Sequence, residues 1–406
     1  MVAICFYFQV HQPYRLRQYS VFEIGETNNY FDNHKNREIM KKVASKCYIP
    51  MNKLLLNLIN KHKGTEKEFK ISFSISGVAL QQFEEYAPEV LESFKKLSET
   101  GCCEFLSETF YHSLSFIYSR REFEEQIIKH RKAIQKHFKQ TPTIFRNTEL
   151  IYSNEVAKEA EKLGFKGIIA EGIDRILGWK SPNFIYKPYN TKYIKLLLKN
   201  YNLSDDIAFR FSNRNWEEWP LTVKKYCNWL NKTNGCGEVI NLFMDYETFG
   251  EHQWEDTGIF EFMENLPSEF LKRPENNFIT VSEAIKLNVK ETLDYPTLTS
   301  WADTERDLSA WLGNKIQKSS IEELYKLEEE IKLINDKQLI EDWRKLTTSD
   351  HFYYMCTKYF SDGDVHKYFN PYDSPYDSFI AFMNIIKDLR IRIKKKTPKI
   401  QYTNDV

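Results

Sequence analysis

One stretch constrains the fold of this chain more than any other: EVINLFMDYETFGEHQW, residues 238–254. Its apolar, β-branched run has glycine before it and polar residues after it, a pattern typical of a parallel strand that is buried on both faces. Asp245 and Glu247 follow the run directly, so we expect them at the carboxyl end of that strand. Ligands and chemistry lie at this end in open α/β sheets and in barrels. The stretch therefore predicts catalytic or binding carboxylates.

A buried strand followed by a helix recurs along the first part of the chain. Further strands are predicted at residues 3–10, 69–76, 102–107, 144–145 and 166–172, and two or three more between 184 and 212. Such alternation predicts a parallel sheet with right-handed crossovers. The pattern yields about seven strand–helix units, one short of the usual eight-stranded barrel. The predicted fold class is α/β, with an incomplete TIM-type (β/α)7 barrel over residues 1–290.

The pattern changes after Asn288, where no strand-like run recurs and long amphipathic segments take over. Apolar residues at helical spacing, as in residues 321–334 and 379–393, predict helices with one buried face. We therefore expect a C-terminal α-helical domain over residues 291–406. The aromatic and acidic segment at about 347–378 is expected to be a loop that forms a wall of the active site.

Composition limits the class of partner. The 57 basic and 57 acidic residues cancel, which argues against a nucleic-acid or membrane-surface partner, and aromatic residues make up 15% of the chain, which suits stacking on sugars. The seven cysteines form no CxxC pair, so we expect a reducing compartment. The first residues lack the features of a signal peptide, and no apolar run is long enough to span a membrane. The protein is thus predicted to be cytoplasmic, with its oligomeric state left open.

Polar residues stand at several of the predicted strand ends. They are His11, Glu104, Glu149 and Asp245 with Glu247. Parallel strands bring these ends to one face of a sheet. Hydrolysis of a glycosidic bond needs one carboxylic acid and one carboxylate, about 5 Å apart when configuration is retained. Glu149 and Asp245 can meet that requirement.

Five motifs carry a family resemblance. They are HQP at His11, GCCEFLSETFYHS around Glu104, FRNTE ending at Glu149, DYETFGEH from Asp245 and SDHFYY around Asp350. In this order, and over nearly the whole chain, they resemble the five signature regions of glycoside hydrolase family 57. The resemblance implies a (β/α)7 barrel with a helical domain behind it and a retaining mechanism on α-glucans. It implies no cofactor and no metal.

The resemblance also implies roles for individual residues. Glu149 resembles the nucleophile, and Asp245 resembles the general acid and base. The residues at substrate-binding positions are His11, Glu104, Arg146, Glu247, His252, Asp350 and Tyr353. Arg146 and His252 depart from the tryptophans of some glucanotransferase members, whereas the tyrosine in DYE and the EH after FG are similar to the members called α-amylases. These features favour hydrolysis of α-1,4-glucosidic bonds in starch, glycogen and maltooligosaccharides through a glycosyl-enzyme.

Other functions stay open at this point. A 4-α-glucanotransferase or a glucan branching enzyme would use the same covalent intermediate. A metal-dependent polysaccharide deacetylase is a more distant alternative, since the nine histidines show no HxH, HxxxH or HExxH spacing, and so is a non-catalytic glycan-binding protein. His112 could be either a core histidine or a residue that supports the site, and Trp301 either a sugar platform or a packing residue.

Overall fold

A computed structural model describes residues 2–358 and 370–397. The chain forms two compact units. The first comprises Met1–Gln12, Asn36–His112 and Arg121–Leu308, and the second comprises Pro13–Lys35, Ser113–Arg120 and Ser309–Val406. The boundary expected at residue 290 thus differs from the observed one at Leu308, and two segments from the first third of the chain add to the second unit.

The first unit holds all the named strands of the described residues. In chain order they are β1 (Ala3–Val10), β2 (Ile71–Ile75), β3 (Cys103–Phe105), β4 (Ile144–Arg146), β5 (Gly167–Glu171), β6 (Ile185–Pro188), β7 (Lys195–Lys199), β8 (Val239–Asp245), β9 (Asn277–Phe278) and β10 (Val289–Leu293). Each strand predicted before residue 172 coincides with an observed one, as does the strand in the opening stretch. The expectation that no strand follows residue 288 is wrong, because β10 pairs with β6.

These strands form two five-stranded sheets. One has the order β3-β2-β1-β8, with β9 also paired to β1, and the other has the order β10-β6-β7-β5-β4. All pairings are parallel except that of β6 with β7. The α/β class is confirmed. Buried apolar residues such as those of β1 and β8 explain the parallel pairing, since both faces of these strands are covered.

Backbone hydrogen bonds join the two sheets at two places. Beyond β3, the amide of Ser107 donates to the carbonyl of Ile144 at 3.0 Å, and the amide of Arg146 donates to the carbonyl of Ser107 at 2.8 Å. At the other side, the amide of Asn200 donates to the carbonyl of Asn241 on β8 at 2.9 Å. Residues from both sheets contribute to one apolar core, whose members include Tyr7, Leu106, Ile144, Leu150, Ile169, Leu197 and Phe243.

Helices connect the strands and make up much of the second unit. They are α1 (Asn33–Val43), α2 (Ile49–His62), α3 (Gly77–Tyr86), α4 (Pro88–Glu99), α5 (Ser115–Tyr118), α6 (Arg120–Phe138), α7 (Asn154–Lys162), α8 (Asp174–Leu177), α9 (Tyr201–Ala208), α10 (Val223–Asn231), α11 (Ile259–Phe270), α12 (Val281–Ala284), α13 (Ser309–Leu312), α14 (Lys315–Tyr325), α15 (Glu328–Ile334), α16 (Lys337–Leu346), α17 (Ser349–Tyr353) and α18 (Pro375–Lys396). A π-helical turn, Ala44–Tyr48, joins α1 to α2.

The segment expected to be a loop at about 347–378 is partly helical. It includes α17 and the beginning of α18. The stretch 359–369 of this expected loop lies outside the described residues.

Neither membrane spans nor disulfides are seen in the described part of the chain. None of its helices is both long and apolar enough to cross a bilayer. All seven cysteines are free thiols, and only Cys236 is exposed. The cytoplasmic location stays a prediction.

Candidate active site

The ends of β1, β4 and β8 bring the first polar groups together. The register of β1 with β8 sets Gln9 beside Asp245, and the chain beyond β3 pairs with β4 where Ser107 bridges Phe145. Because the strands are parallel, the residues that follow them share one edge of the sheets. Most of the candidate residues of the first unit lie at this edge.

Glu149 lies in a tight turn directly after β4. The turn spans Thr148–Leu150, and Glu149 has φ +55° and ψ 29°, a left-handed conformation that side chains with a Cβ rarely adopt. The hydroxyls of Thr148 and Thr109 are 2.8 Å apart, and the amide of Trp301 donates to the carbonyl of Glu149 at 3.3 Å. Strained backbone of this kind persists only where its surroundings hold it, and it clusters at functional sites.

The carboxylate of Glu149 accepts a hydrogen bond on each oxygen. Nε2 of His112 lies 2.9 Å from Oε1, and Nε1 of Trp301 donates to Oε2 at 2.8 Å. Burial by itself would raise the pKa of Glu149, but the hydrogen bond and charge of His112, together with the charge of Arg146, lower that pKa below its ordinary value. Glu149 is therefore a carboxylate at neutral pH, and its side chain keeps 22% exposure.

Asp245 ends β8 and has the opposite tendency. Burial, and then the negative charge of Glu149, raise the pKa of Asp245 to about 6, although Arg146 and Lys199 oppose the shift. The side chain is half-buried. The charge of Glu149 thus acts on Asp245, and the pKa values of the two carboxyl groups are shifted in opposite directions, a pattern typical of acid and carboxylate pairs.

Glu247 follows Asp245 in a short turn. Burial and the charge of Asp245 raise the pKa of Glu247 to about 8, so this group is largely protonated at neutral pH. The hydroxyl of Tyr48 donates to Oε1 of Glu247, and Gln12 also bonds to this carboxyl. A neutral carboxyl group both donates and accepts hydrogen bonds, which suits contact with sugar hydroxyls.

The histidines His11 and His252 are both half-buried. The ring of His11 stacks on that of His112, with centroids 3.9 Å apart and an interplanar angle of 17°, and its Nδ1 lies 2.7 Å from the hydroxyl of Ser76. His252 lies in a turn where its amide donates to the carbonyl of Glu247 at 3.0 Å. Burial lowers the pKa of His252 to about 4, so its ring is neutral.

Arg146 is fully buried at the end of β4. Its exposure is 0%, and none of its three guanidinium nitrogens has a hydrogen-bond partner within the described residues. The closest carboxylate is that of Glu108, at 3.8 Å, and the guanidinium carbon lies 5.3 Å from the ring centroid of Trp301. The substrate contact predicted for Arg146 does not fit such burial. Its charge acts on the neighbouring carboxylates instead.

Glu104 lies apart from these groups. It is on β3, where it accepts hydrogen bonds from Ser72 Oγ at 3.2 Å, from the amide of Ser282 at 3.0 Å and from Ser282 Oγ. Glu108 lies four residues later, which is about 13 Å along an extended chain. It is Glu108, rather than Glu104, that contacts His112 beside Glu149. The contacts of Glu104 therefore do not support the sugar contact predicted for it.

Asp350 and Tyr353 belong to the second unit. Both are half-buried residues of α17, and the ring of Tyr353 lies 6.3 Å from that of Trp311. Their contact with a sugar stays a prediction.

Three residues beside Glu149 were not chosen as site residues from the sequence: Glu108, His112 and Trp301. Glu108 and His112 stand in the polar SETFYHS segment, and their spacing of four is the one available signal. Trp301 has none, since 152 residues separate it from its partner. In the part of the chain that the structure describes, no group of three or more His, Cys, Asp or Glu residues could hold a metal ion.

The chain is similar in sequence to known proteins. The sequence profile described as glycosyl hydrolase family 57 matches residues 5–293. A protein of Methanocaldococcus jannaschii, whose name gives it provisionally as an alpha-amylase, is 44% identical over 419 residues, a match that covers 99% of this chain and 87% of that protein.

Two solved structures are similar in fold. The 4-alpha-glucanotransferase from Thermococcus litoralis has a TM-score of 0.68 at 16% identity, over 96% of this chain and 60% of that one. A GH57 branching enzyme from Thermococcus kodakaraensis has a TM-score of 0.67 at 14% identity, over 96% of this chain and 90% of that one. At such low sequence identity, these similarities show a common fold and nothing more. The profile match covers well over half of the chain, which therefore belongs to glycosyl hydrolase family 57.

Proposed function

We propose that the protein is a retaining α-glucan hydrolase that cleaves α-1,4-glucosidic bonds of the starch and glycogen type. Glu149 is the nucleophile and Asp245 is the general acid and base. The observation that carries this assignment is the geometry of two carboxyl groups that follow parallel strands: Glu149 accepts hydrogen bonds from His112 and Trp301, and Asp245 ends β8 within the influence of the Glu149 charge. In agreement, the pKa of Asp245 is raised to about 6, whereas that of Glu149 is lowered. One group can hold a proton while the other stays charged.

The chemistry follows from these two states. In the first step Asp245 gives its proton to the glycosidic oxygen, the bond from that oxygen to the anomeric carbon breaks, and an oxygen of Glu149 forms the new bond. Once Glu149 is esterified it has no negative charge, so the pKa of Asp245 falls and the carboxylate can act as a base. In the second step Asp245 takes a proton from water, whose oxygen displaces Glu149 from the anomeric carbon.

The other half-buried or neutral groups at this edge suit recognition of an uncharged sugar. Glu247 and His11 offer hydrogen-bonding groups, and His252 contributes a neutral ring. We assign them to sugar contacts next to the cleaved bond. Asp350 and Tyr353 of α17 keep the sugar-binding role that the motif SDHFYY implies.

The proposal includes a closed barrel. Seven parallel strands would form it in the order β1, β2, β3, β4, β5, β7 and β8. The backbone hydrogen bonds of Ser107 with β4, and of Asn200 with β8, support closure at the two places where the sheets meet.

Hydrolysis is favoured over transfer by the M. jannaschii relative, which is 44% identical and whose name gives an alpha-amylase. The alternative is a 4-α-glucanotransferase or a branching enzyme, because a sugar hydroxyl can replace water in the second step. Two such enzymes have a similar fold, which supports transfer as the second candidate activity.

Product analysis separates these activities. Purified protein is incubated with maltoheptaose, and products are followed by chromatography and by proton NMR of the anomeric region. We expect shorter maltooligosaccharides only. Products longer than maltoheptaose would show that the enzyme transfers glucan chains instead of hydrolysing them. New α-1,6 anomeric signals would indicate branching.

Two variants test the assigned residues in the same assay. Glu149→Gln and Asp245→Asn each retain the shape of the side chain, and we expect turnover to fall by about 100- to 10,000-fold or more. Circular dichroism and thermal unfolding should match those of the original protein. If either variant were nearly as active as the original protein, the role assigned to the replaced residue would be wrong.

A further inference from the structure

His112 bridges two carboxylates, one buried behind it and one in the site. Its Nδ1 lies 2.8 Å from Oε2 of Glu108, and its Nε2 lies 2.9 Å from Oε1 of Glu149. We propose that His112, held by Glu108, is a positioning residue that keeps the Glu149 carboxylate charged and aligned for attack on the anomeric carbon. The proposal rests on the proposed function, because it assumes that Glu149 is the nucleophile.

The contacts of Glu108 indicate that it is ionised. Its Oε1 accepts from Nε2 of Gln9 at 3.1 Å and from Oγ of Ser74 at 2.7 Å, and the guanidinium of Arg146 is near its Oε2. An ionised carboxylate only accepts hydrogen bonds. Nδ1 of His112 must therefore carry a hydrogen.

The same reasoning applies to the other ring nitrogen. Glu149 accepts from Trp301 on one oxygen and faces Nε2 of His112 with the other, so Nε2 donates as well. A histidine that donates from both nitrogens is an imidazolium. The two carboxylates raise the pKa of His112 to about 9 although burial opposes the change, which agrees with this geometry.

A second buried histidine nearby shows the contrast. The amide of Glu108 donates to Nδ1 of His130 at 3.3 Å, and Nε2 of His130 lies 2.8 Å from the carbonyl of Ile75. One neighbour is a donor and the other an acceptor, so a neutral ring satisfies both. Burial indeed lowers the pKa of His130. The different neighbours, rather than burial as such, distinguish the cation His112 from the neutral His130.

The ring of His112 has little freedom to turn. The side chain is 1% exposed, the ring of His11 stacks on one face at 3.9 Å, and Glu108 has 0% exposure. The backbone of His112 has φ +51°, an unfavourable conformation that places the ring between the carboxylates. The titratable and charged groups around it are His11 from the end of β1, Glu108 from the segment after β3 with His130 of α6 behind it, Arg146 with Glu149 from β4 and its turn, and Asp245 from the end of β8, whose pKa the charge of His112 lowers.

This arrangement fits both steps of the proposed reaction. Glu108 and Glu149 carry two negative charges, and His112 and Arg146 carry two positive ones. When Glu149 forms a bond to the anomeric carbon its charge disappears, but Asp245 becomes a carboxylate as it gives up its proton, so the net charge of the site does not change. In the second step the C–O bond to Glu149 breaks, and the imidazolium stabilises the departing carboxylate.

The test uses His112→Gln, which keeps hydrogen bonding but cannot carry the charge. The first measurement is the rate at which 5-fluoro-α-glucosyl fluoride labels the full-length protein, with the labelled residue located by peptide mass spectrometry. We expect His112→Gln to label Glu149 about 100-fold more slowly, with kcat lowered more than KM. The control is His137→Gln on α6, which faces Glu84 and should label at the original rate.

The second measurement is the pH dependence of kcat/KM. The charge of His112 acts against the raised pKa of Asp245, so its removal should move the alkaline limb to higher pH. His112 also lowers the pKa of Glu149, so the acid limb should move to higher pH as well. Glu108→Gln should move the limb in the same direction by less, since it weakens the imidazolium without removing the ring. It also serves if His112→Gln does not fold.

The possible results separate the two proposals. A folded His112→Gln protein that labels Glu149 at the original rate, with an unchanged acid limb, would overturn the role of His112. For Glu108→Gln, an unchanged acid limb and labelling rate would overturn it in the same way. Labelling of the original protein at a residue other than Glu149 would instead overturn the proposed function.

Discussion

The indole N–H of Trp301 donates to Oε2 of Glu149 at 2.8 Å, and the amide of Trp301 donates to the carbonyl of the same residue at 3.3 Å. One residue therefore holds both the side chain and the strained backbone of Glu149. The ring of Trp301 also lies 5.3 Å from the charged groups of Arg146 and Lys199. Two cations contact the ring that fixes the proposed nucleophile.

Replacing Trp301 with phenylalanine removes the indole donor and keeps an aromatic ring. We expect kcat to fall by about 10- to 100-fold, because the Glu149 carboxylate loses one of its two fixed partners. Steady-state kinetics on maltoheptaose measures the effect. Trp179→Phe is the matched control, since Trp179 is 89% exposed and should change nothing. Equal rates for Trp301→Phe and the original protein would show that the hydrogen bond does not matter.

The raised pKa of Asp245 predicts the alkaline limb of the pH profile. Asp245 must hold a proton for the first step, so kcat/KM should decrease as pH rises through about 6. The charge of Lys199 lowers this pKa, so Lys199→Gln should move the limb upward. Rates with maltoheptaose between pH 4 and 9 measure both. A profile that stays flat to pH 9 would contradict the role of Asp245 as the acid.

Glu247 should make stability depend on pH. Its pKa is raised from 4.5 to about 8, so the folded state holds the proton more tightly than the unfolded state. The protonated Glu247 side chain therefore stabilises the folded protein fully below pH 4.5. This stabilisation is lost as the pH rises to about 8, at no more than about 1.4 kcal/mol per pH unit. Between pH 4.5 and 8, the free energy of unfolding in urea should therefore decrease more steeply for the original protein than for Glu247→Gln. Glu264→Gln is the control, because Glu264 is exposed on α11. A stability difference between Glu247→Gln and the original protein that does not change with pH would refute the linkage.

A second buried charge cluster, made of Glu171, Lys199, Asp205 and Arg306, predicts a stability effect. Lys199 Nζ lies 2.9 Å from Asp205 Oδ1 and 3.6 Å from Glu171 Oε2, and Glu171 is fully buried. Lys199→Met leaves these carboxylates with much less compensation and should lower the free energy of unfolding by about 3–5 kcal/mol. Adding Glu171→Gln should restore part of that loss in chemical denaturation. A double variant no more stable than Lys199→Met would show that the pair is not coupled.

Much of the fold could be predicted because the signals are local. The buried runs of β1 and β8, and the helix from Arg120 to Phe138, show in the spacing of their apolar residues. The same spacing put Glu149 and Asp245 after strands, where parallel pairing brings them to one edge. The extent of the second unit was not accessible in this way, because segments 13–35 and 113–120 join it through tertiary contacts.

The amino-acid sequence by itself determined the strands that are long apolar runs, β1 and β8 among them, and which carboxylates follow strands, since apolar periodicity and strand ends are properties of neighbouring residues. Only the tertiary structure decided which of those groups are charged, and what holds them. The partners of the Glu149 carboxylate, His112 and Trp301, are 37 and 152 residues away along the chain, and only tertiary folding brings them into contact with it. Burial then encloses the Arg146 cation and raises the pKa of Asp245, neither of which shows in the spacing of residues along the chain.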